Sequence, residues 1–333
     1  MVETNPVVIR MWRGDAVESI HRGAWVATDT QGSVLASVGD PYQLTFPRSA
    51  TKAFQALPLL LSGAAEAFGF DDGDVALAMA SHSGESMHVE RVLASLERLG
   101  LTEDALQCGP QQPMAPWSTE GKRRASMNCS GKHVGFLAVA RQLDADPAGY
   151  LDPDGAVQQA VYEATKRITG ADDDELSLAT DGCSAPTFRM PLARLAQGIA
   201  RIANPDGIDD DLAAACRRMT TAAAAYPELI GGSKHRSDTD LIRVTEGRLF
   251  AKVGAEAVLV VGEVGGNAAY AMKIDDGGER AIAPFMLDVL VAGGRLSADE
   301  RDQLTEWNNR DRSNWDGLVV GRVDIVETAT KGR

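Results

Sequence analysis

The spacing of apolar and polar residues changes character along the chain. "VVIRMW" and "GAWVATD" alternate residue by residue, and "TDTQGS" turns the chain into "SVLASVGD", which predicts a hairpin and a neighbouring strand. From Ser49 the period lengthens. Leu192, Leu195, Ala196, Ile199 and Ile202 fall on one helical face, and "AVQQAVYEATKR" and "DLAAACRRMTTAAAA" are rich in strong helix formers. After Gly247 the strand pattern returns in "RLFAKVG", "AVLVVGEV" and "AAYAMKIDD", with a turn at "DDGG" and a helix over Ile282–Ala292. "SADERDQLTEW" opens on a capping box, Ser297 to Glu300, and "GLVVGRVDIVE" closes the chain as a strand.

Strand signals at both ends of a helical middle predict an α/β (α+β) fold. The N- and C-terminal segments are expected to join in one mixed, largely antiparallel sheet covered by helices, with the helical insert beside it. Residues 1–333 read as a single domain, with 1–48 and 247–333 forming the sheet and 49–246 mostly helical. No repeat, low-complexity tract or linker divides them. The length supports a core without staples.

Charge and composition narrow the function. The net charge of −14 comes from dispersed carboxylates and short runs such as "ADDDE" and "DGIDDD", a field that repels polyanions, so nucleic acid is excluded as a partner. The run "AVLVVG" (257–262) falls far short of the roughly 20 apolar residues a membrane helix needs, and reads as a buried strand. The opening "MVETNPVVIRMWRG" has neither a basic nor an apolar leader region, and the four cysteines, Cys108, Cys129, Cys183 and Cys216, are far apart. Thiols or metal ligands in a cytoplasmic protein are expected, rather than disulfides.

Candidate chemistry begins at "PRSATK". Three residues apart on a helix, Ser49 and Lys52 share a face, the relation of a nucleophile and its base if burial lowers the amine's pKa. The plain alternative is a capping serine and a solvated lysine. Penicillin-recognising serine enzymes carry S-x-x-K at a helix start and K-[ST]-G on a late strand. Lys252-Val253-Gly254 occupies such a strand, with valine where that pattern has a hydroxyl. "MNCSGKHVGF" and "TDGCSAPTF" hold Cys129, Lys132, His133, Asp181 and Cys183. Together, the two cysteines and Lys132 would suit zinc, which favours thiolates and often keeps an open position; the alternative is two inert buried thiols. Cys108 and Cys216 lack polar company and read as packing residues. "ASHSGESMH", after an expected strand "DVALAMA", gathers Ser81, His82, Ser83, Glu85 and His88, either a functional cluster or a helix start capped by Ser83. His21 and His235 carry no role.

Taken in order, "PRSATK", "ASHSGE", "NCSGKH", "DGCSAPTF" and "AKVGAE" resemble the Rhizobium-type L-asparaginases, from about Val8 to the C-terminus. The resemblance implies a fold similar to serine β-lactamases and glutaminases, a homodimer, and hydrolysis of L-asparagine to L-aspartate and ammonia. It implies two catalytic pairs, Ser49 with Lys52 and Ser81 with Lys252. It also implies zinc on Cys129, Lys132 and Cys183, and a substrate pocket lined by Arg48, His133 and Asp181. One departure is "GAEA", where Ala257 stands in place of the family's usual glycine.

The expected reaction is acyl transfer: Ser49, deprotonated by Lys52, attacks the side-chain amide, ammonia leaves, and water hydrolyses the ester. Ser81 and Lys252 relay protons, and zinc orients substrate or water. Glutamine hydrolysis is the nearest alternative, since one methylene changes binding by only about 1–3 kcal/mol. A β-lactamase or peptidase fits less well, given Val253 and no export signal. A non-catalytic, zinc-dependent amino-acid-binding protein would have no need of both lysines.

Overall fold

The structure, a computed structural model, describes residues 4–332. Eleven strands form among them: β1 (Val7–Arg13), β2 (Ala16–Thr28), β3 (Val34–Val38), β4 (Leu44–Thr45), β5 (Ser177–Thr180), β6 (Pro186–Pro191), β7 (Leu249–Gly254), β8 (Val258–Glu263), β9 (Ala269–Ile274), β10 (Asp311–Ser313) and β11 (Val319–Ile325). Eight make one antiparallel sheet in the order β10-β11-β1-β2-β9-β8-β7, with β3 also on β2. The N- and C-terminal segments therefore build the sheet together, as their alternation predicts. Strand β2 changes partner along its length, from β1 to β9, at Gly23. A Cβ at that point would stand 2.6 Å from the Lys273 carbonyl oxygen, so the close approach of β9 requires glycine there.

Helices cover both faces. Helix Leu192–Ala203 buries the stripe of Leu192, Leu195, Ala196, Ile199 and Ile202, and packs on β2, β8 and β9. Its approach is close at Gly262, where a Cβ would meet Ala203 at 2.8 Å and Ile199 at 2.9 Å. Helix Glu279–Ala292 covers the other face, reaching Tyr270, the residue next to the Gly262 partner Ala269. Lys252 pairs with Val260, two residues from Gly262, and so points from the sheet toward the helical insert. At the centre of the insert, helix Lys52–Leu61 buries Phe54, Leu57 and Leu59. Among the described residues no helix is long and apolar enough to cross a membrane.

Three local differences from the sequence expectations have physical reasons. "DVALAMA" is not a strand but the helix Asp72–Ala78 and its end. It is buried on all sides and so shows no period, its only β-branched residue is Val75, and Asp71 and Asp74 close a capping box on each other's backbone N–H at 3.0 Å. The helix Ser86–Arg98 is capped by Glu85 and His88 rather than by Ser83. Finally, the mostly helical middle contributes β5 and β6, which with β4 form a second antiparallel sheet, Thr45 lying opposite Met190. That small sheet sets the Asp181–Ala185 loop beside the Arg48–Thr51 turn.

Candidate active site

The Ser49 turn is wedged between sheet and insert. Arg48–Thr51 is a 3-10 turn whose Ala50 N–H donates to the Pro47 carbonyl at 3.1 Å, and Gly254 of β7 lies so close that a Cβ would be 2.1 Å from that oxygen. Arg48 adopts φ 53°, a left-handed backbone that costs a non-glycine residue about 1–2 kcal/mol. Two restraints hold it there. Its guanidinium donates from Nε (3.0 Å) and Nη2 (2.6 Å) to Asp181 Oδ1, and the Thr51 hydroxyl donates to its carbonyl at 3.0 Å. Burial alone would raise the Asp181 carboxyl, but Arg48 and the Lys132 charge outweigh it and hold it below its usual range. Ser49 is half-buried at the turn's open side.

Lys52 begins the helix one turn on and is fully enclosed. Its Nζ donates to the Ala80 carbonyl (2.5 Å), Ser81 Oγ (3.0 Å) and, more weakly, the Asn128 carbonyl (3.4 Å). Among the described residues no side-chain hydrogen bond joins it to Ser49, three residues before it in the preceding turn. Burial is the main cause lowering its pKa, helped by the charge of Lys132 and opposed by Cys129. Lys252 is equally buried, and its partner is not Ser81 but Asp238: Nζ to Oδ2 is 2.9 Å, with both side chains wholly out of solvent. Burial pushes Lys252 down to about 8 against the pull of Asp238. Burial would raise the Asp238 carboxyl, but Lys252 and Arg236 reverse this and take it to about 2. Lys52 also acts on Lys252, so both amines share one interior.

The two cysteine-bearing segments do meet. Cys129 and Cys183 are buried and free, and Lys132 Nζ donates to Cys183 Sγ at 3.2 Å. Facing Cys183 holds Cys129 well below an ordinary thiol despite its burial, with Lys52 and Lys132 adding to the effect; the shared proton and burial push Cys183 up. Burial works against the Lys132 charge, and the two sulfurs more than restore it. Among the described residues no group of three or more His, Cys, Asp or Glu is placed to hold a metal, so a cation here would need two sulfurs and the Lys132 amine. A sulfur donor already pushed toward thiolate suits such an ion, whereas Lys132, held as an ammonium, would have to give up its proton to join it.

His133 lies fully enclosed beside this cluster. The Tyr150 hydroxyl accepts from the Gln107 N–H at 2.8 Å and lies 2.6 Å from His133 Nδ1, an acceptor for its own proton. In the tautomer that accepts this proton the imidazole hydrogen is on Nε2, which has no partner among the described residues. Burial keeps the ring neutral, as do the charges of Lys132 and Lys52. The orphaned donor is available to a bound molecule. His82 and His88, by contrast, are structural: each accepts a backbone N–H on Nδ1, from Gly84 and Glu85, while Nε2 contacts Ser130 Oγ or the Glu228 carbonyl.

Ala257 sits where the resemblance expects glycine, and its φ is 53°, next to Glu256 at 63°. Alanine therefore bears a strain glycine would avoid, and its carbonyl is held from β9 by the Ile274 N–H at 3.1 Å. Asp238, Arg236, Asn128 and Tyr150 were missed from sequence; the acid in the first turn after "KHRS" was the available signal for Asp238. A groove of about 810 Å³ is lined by Arg48, Thr45, Thr187, Glu256 and Lys273.

None of the curated proteins matches the chain. Among solved structures, a beta-lactamase from Mycobacterium bovis is 15% identical, with 81% of this chain and 94% of that one covered and a TM-score of 0.41. Mglu in its native form in 4.3 M NaCl is 16% identical, with 84% of this chain covered, 61% of that one, and a TM-score of 0.38. A family model described as L-asparaginase II matches residues 9–325 of the 333, and the chain belongs to that family of asparaginase-type amidohydrolases.

Proposed function

We propose that the protein hydrolyses the side-chain amide of L-asparagine to L-aspartate and ammonia, with Ser49 as nucleophile. The observation that carries this is Lys52: a buried amine with lowered proton affinity, one turn from Ser49 and hydrogen-bonded to a second serine, Ser81, at 3.0 Å. A neutral Lys52 is a base strong enough to draw a serine proton, directly or through the Ser81 hydroxyl. The Ser49 oxygen then bonds to the amide carbon as its proton passes to this relay. When the carbon–nitrogen bond breaks, the relay returns the proton to the leaving amine, which departs as ammonia. Water cleaves the ester by the same relay in reverse order, restoring the Ser49 hydroxyl. Arg48 and Asp181 present one cation and one anion side by side, complementary to the carboxylate and ammonium of an amino-acid substrate, and the free His133 Nε2–H is a donor for a substrate oxygen.

Zinc on Cys129, Lys132 and Cys183 would supply a Lewis acid for orienting the substrate or its water, and none of the steps above depends on it. The test is ammonia release from L-asparagine and L-glutamine by wild type and Ser49→Ala, with metal content measured on the same samples. Asparagine turnover that vanishes in Ser49→Ala is expected. A folded, zinc-loaded wild type that releases no ammonia from either amide would refute the hydrolase mechanism.

A further inference from the structure

Of the ion pairs among the described residues, Lys252 with Asp238 is the one in which both side chains are wholly enclosed. Asp238 lies in the first turn of helix Ser237–Val244 and spends both oxygens on backbone and amine. Oδ1 accepts the Thr239 N–H at 3.1 Å; Oδ2 accepts Lys252 Nζ at 2.9 Å and the Val253 N–H at 3.3 Å. One carboxylate thus clamps β7 to the helix start at the lysine itself. Through Arg236, whose Nε is 3.8 Å from Oδ1, it also connects to the Ser81 loop: Arg236 Nη1 donates to the Ser81 carbonyl (2.6 Å), the Gly231 carbonyl (3.1 Å) and Ser83 Oγ (3.3 Å).

Enclosing such a pair rarely adds stability, because desolvation offsets the attraction; well-packed apolar residues usually do as well. Its position argues for another use. Two buried lysines share this interior with different partners. Lys52 touches two carbonyls and a hydroxyl, with the Cys129 sulfur as the anion acting on it, whereas Lys252, on a strand whose end Gly254 abuts the Ser49 turn, is held directly by the Asp238 carboxylate.

Resting on the asparaginase reading above, we propose that Asp238 is a positioning residue that keeps Lys252 an ammonium ion facing the acyl-transfer site. The two lysines then divide the work, Lys52 as base and Lys252 as fixed positive charge for the developing oxyanion. The charged groups acting on Lys252 are Asp238 and Arg236 from the helix start and Lys52 from the insert; across the sheet it faces Val260. Removing the carboxylate leaves burial and two cations, which disfavour the ammonium, opposed by one neutral acceptor, the Val253 carbonyl at 3.1 Å from Nζ.

The experiment is an NMR titration of the full-length protein labelled with ¹³C-lysine, together with the pH profile of ammonia release from L-asparagine. The Lys252 signal is identified by its loss in Lys252→Arg. In Asp238→Asn, Lys252 is expected to titrate at least about one pH unit lower than in wild type, and the alkaline limb of kcat to move with it while the acidic limb stays. An unchanged Lys252 titration in Asp238→Asn overturns the proposal. Should Asp238→Asn not fold, Lys252→Arg decides alone: a permanently charged guanidinium removes the alkaline limb if the ammonium is the active form, and a wild-type limb overturns it. A shifted titration in a protein that releases no ammonia supports the Asp238 clamp and refutes the asparaginase reading, so the two failures are distinguishable.

Discussion

Replacing Gly254 by alanine tests whether strand β7 holds the Ser49 turn in place. The new Cβ would lie 2.1 Å from the Pro47 carbonyl oxygen, 3.1 Å from the Ala50 nitrogen and 3.3 Å from the Ala50 Cβ. Real Cβ atoms do not approach closer than about 3.0 Å, so the turn or the strand must retreat by about 1 Å. The colliding atoms are backbone and cannot rotate aside, and the Pro47 oxygen is the acceptor that closes the turn. Overpacking of this kind costs about 1–3 kcal/mol of stability. A displacement of about 1 Å between catalytic groups costs roughly 100-fold in rate, equivalent to about 2.7 kcal/mol of barrier. The assay is steady-state ammonia release with a thermal melt on the same preparation. A control is Gly135→Ala in helix Ser130–Gln142, where the Cβ would meet Ala78 at an ordinary 3.4 Å and should stabilise by about 0.5–1 kcal/mol. Wild-type kcat/KM and an unchanged melt for Gly254→Ala would refute the wedge.

Two further outcomes are expected. Tyr150→Phe strips the partner from both the Gln107 N–H and His133 Nδ1, costing about 2–4 kcal/mol in urea unfolding and raising KM as the His133 ring loses its fixed tautomer; a loss under about 0.5 kcal/mol would count against it. Asp238, at about 2 in the folded protein, binds its proton less tightly there than when unfolded, so its contribution is complete above the ordinary carboxylate value and is lost as pH falls toward 2. Urea unfolding at pH 5 and pH 3 should show wild type losing more stability than Asp238→Asn, by on the order of 2 kcal/mol at most, and equal losses would contradict the assignment.

How much was legible depended on whether the information was local. Alternation in β1, β2 and β7 to β9, the stripe of helix Leu192–Ala203 and the Ser297–Glu300 capping box depend on neighbours within a few residues, and each is where its pattern predicts. "DVALAMA" failed because a segment buried all round carries no period. The small sheet failed because β4 is only two residues long and finds its partner, β6, nearly 150 residues on.

At the site, the chain's own order marked candidates: a serine and lysine one turn apart, a second lysine on a late strand, two cysteines in polar loops. Spacing along a helix shows that Lys52 can reach Ser49. It cannot show that Ala80 and Ser81 close around the amine first, or that Lys252 meets a carboxylate from a helix start on another element. Those partners, the burial that lowers both amines and the carboxylate that opposes it at Lys252, arise only when distant segments pack. Charge preference depends on the surrounding dielectric and on neighbours in space, which the linear order does not contain.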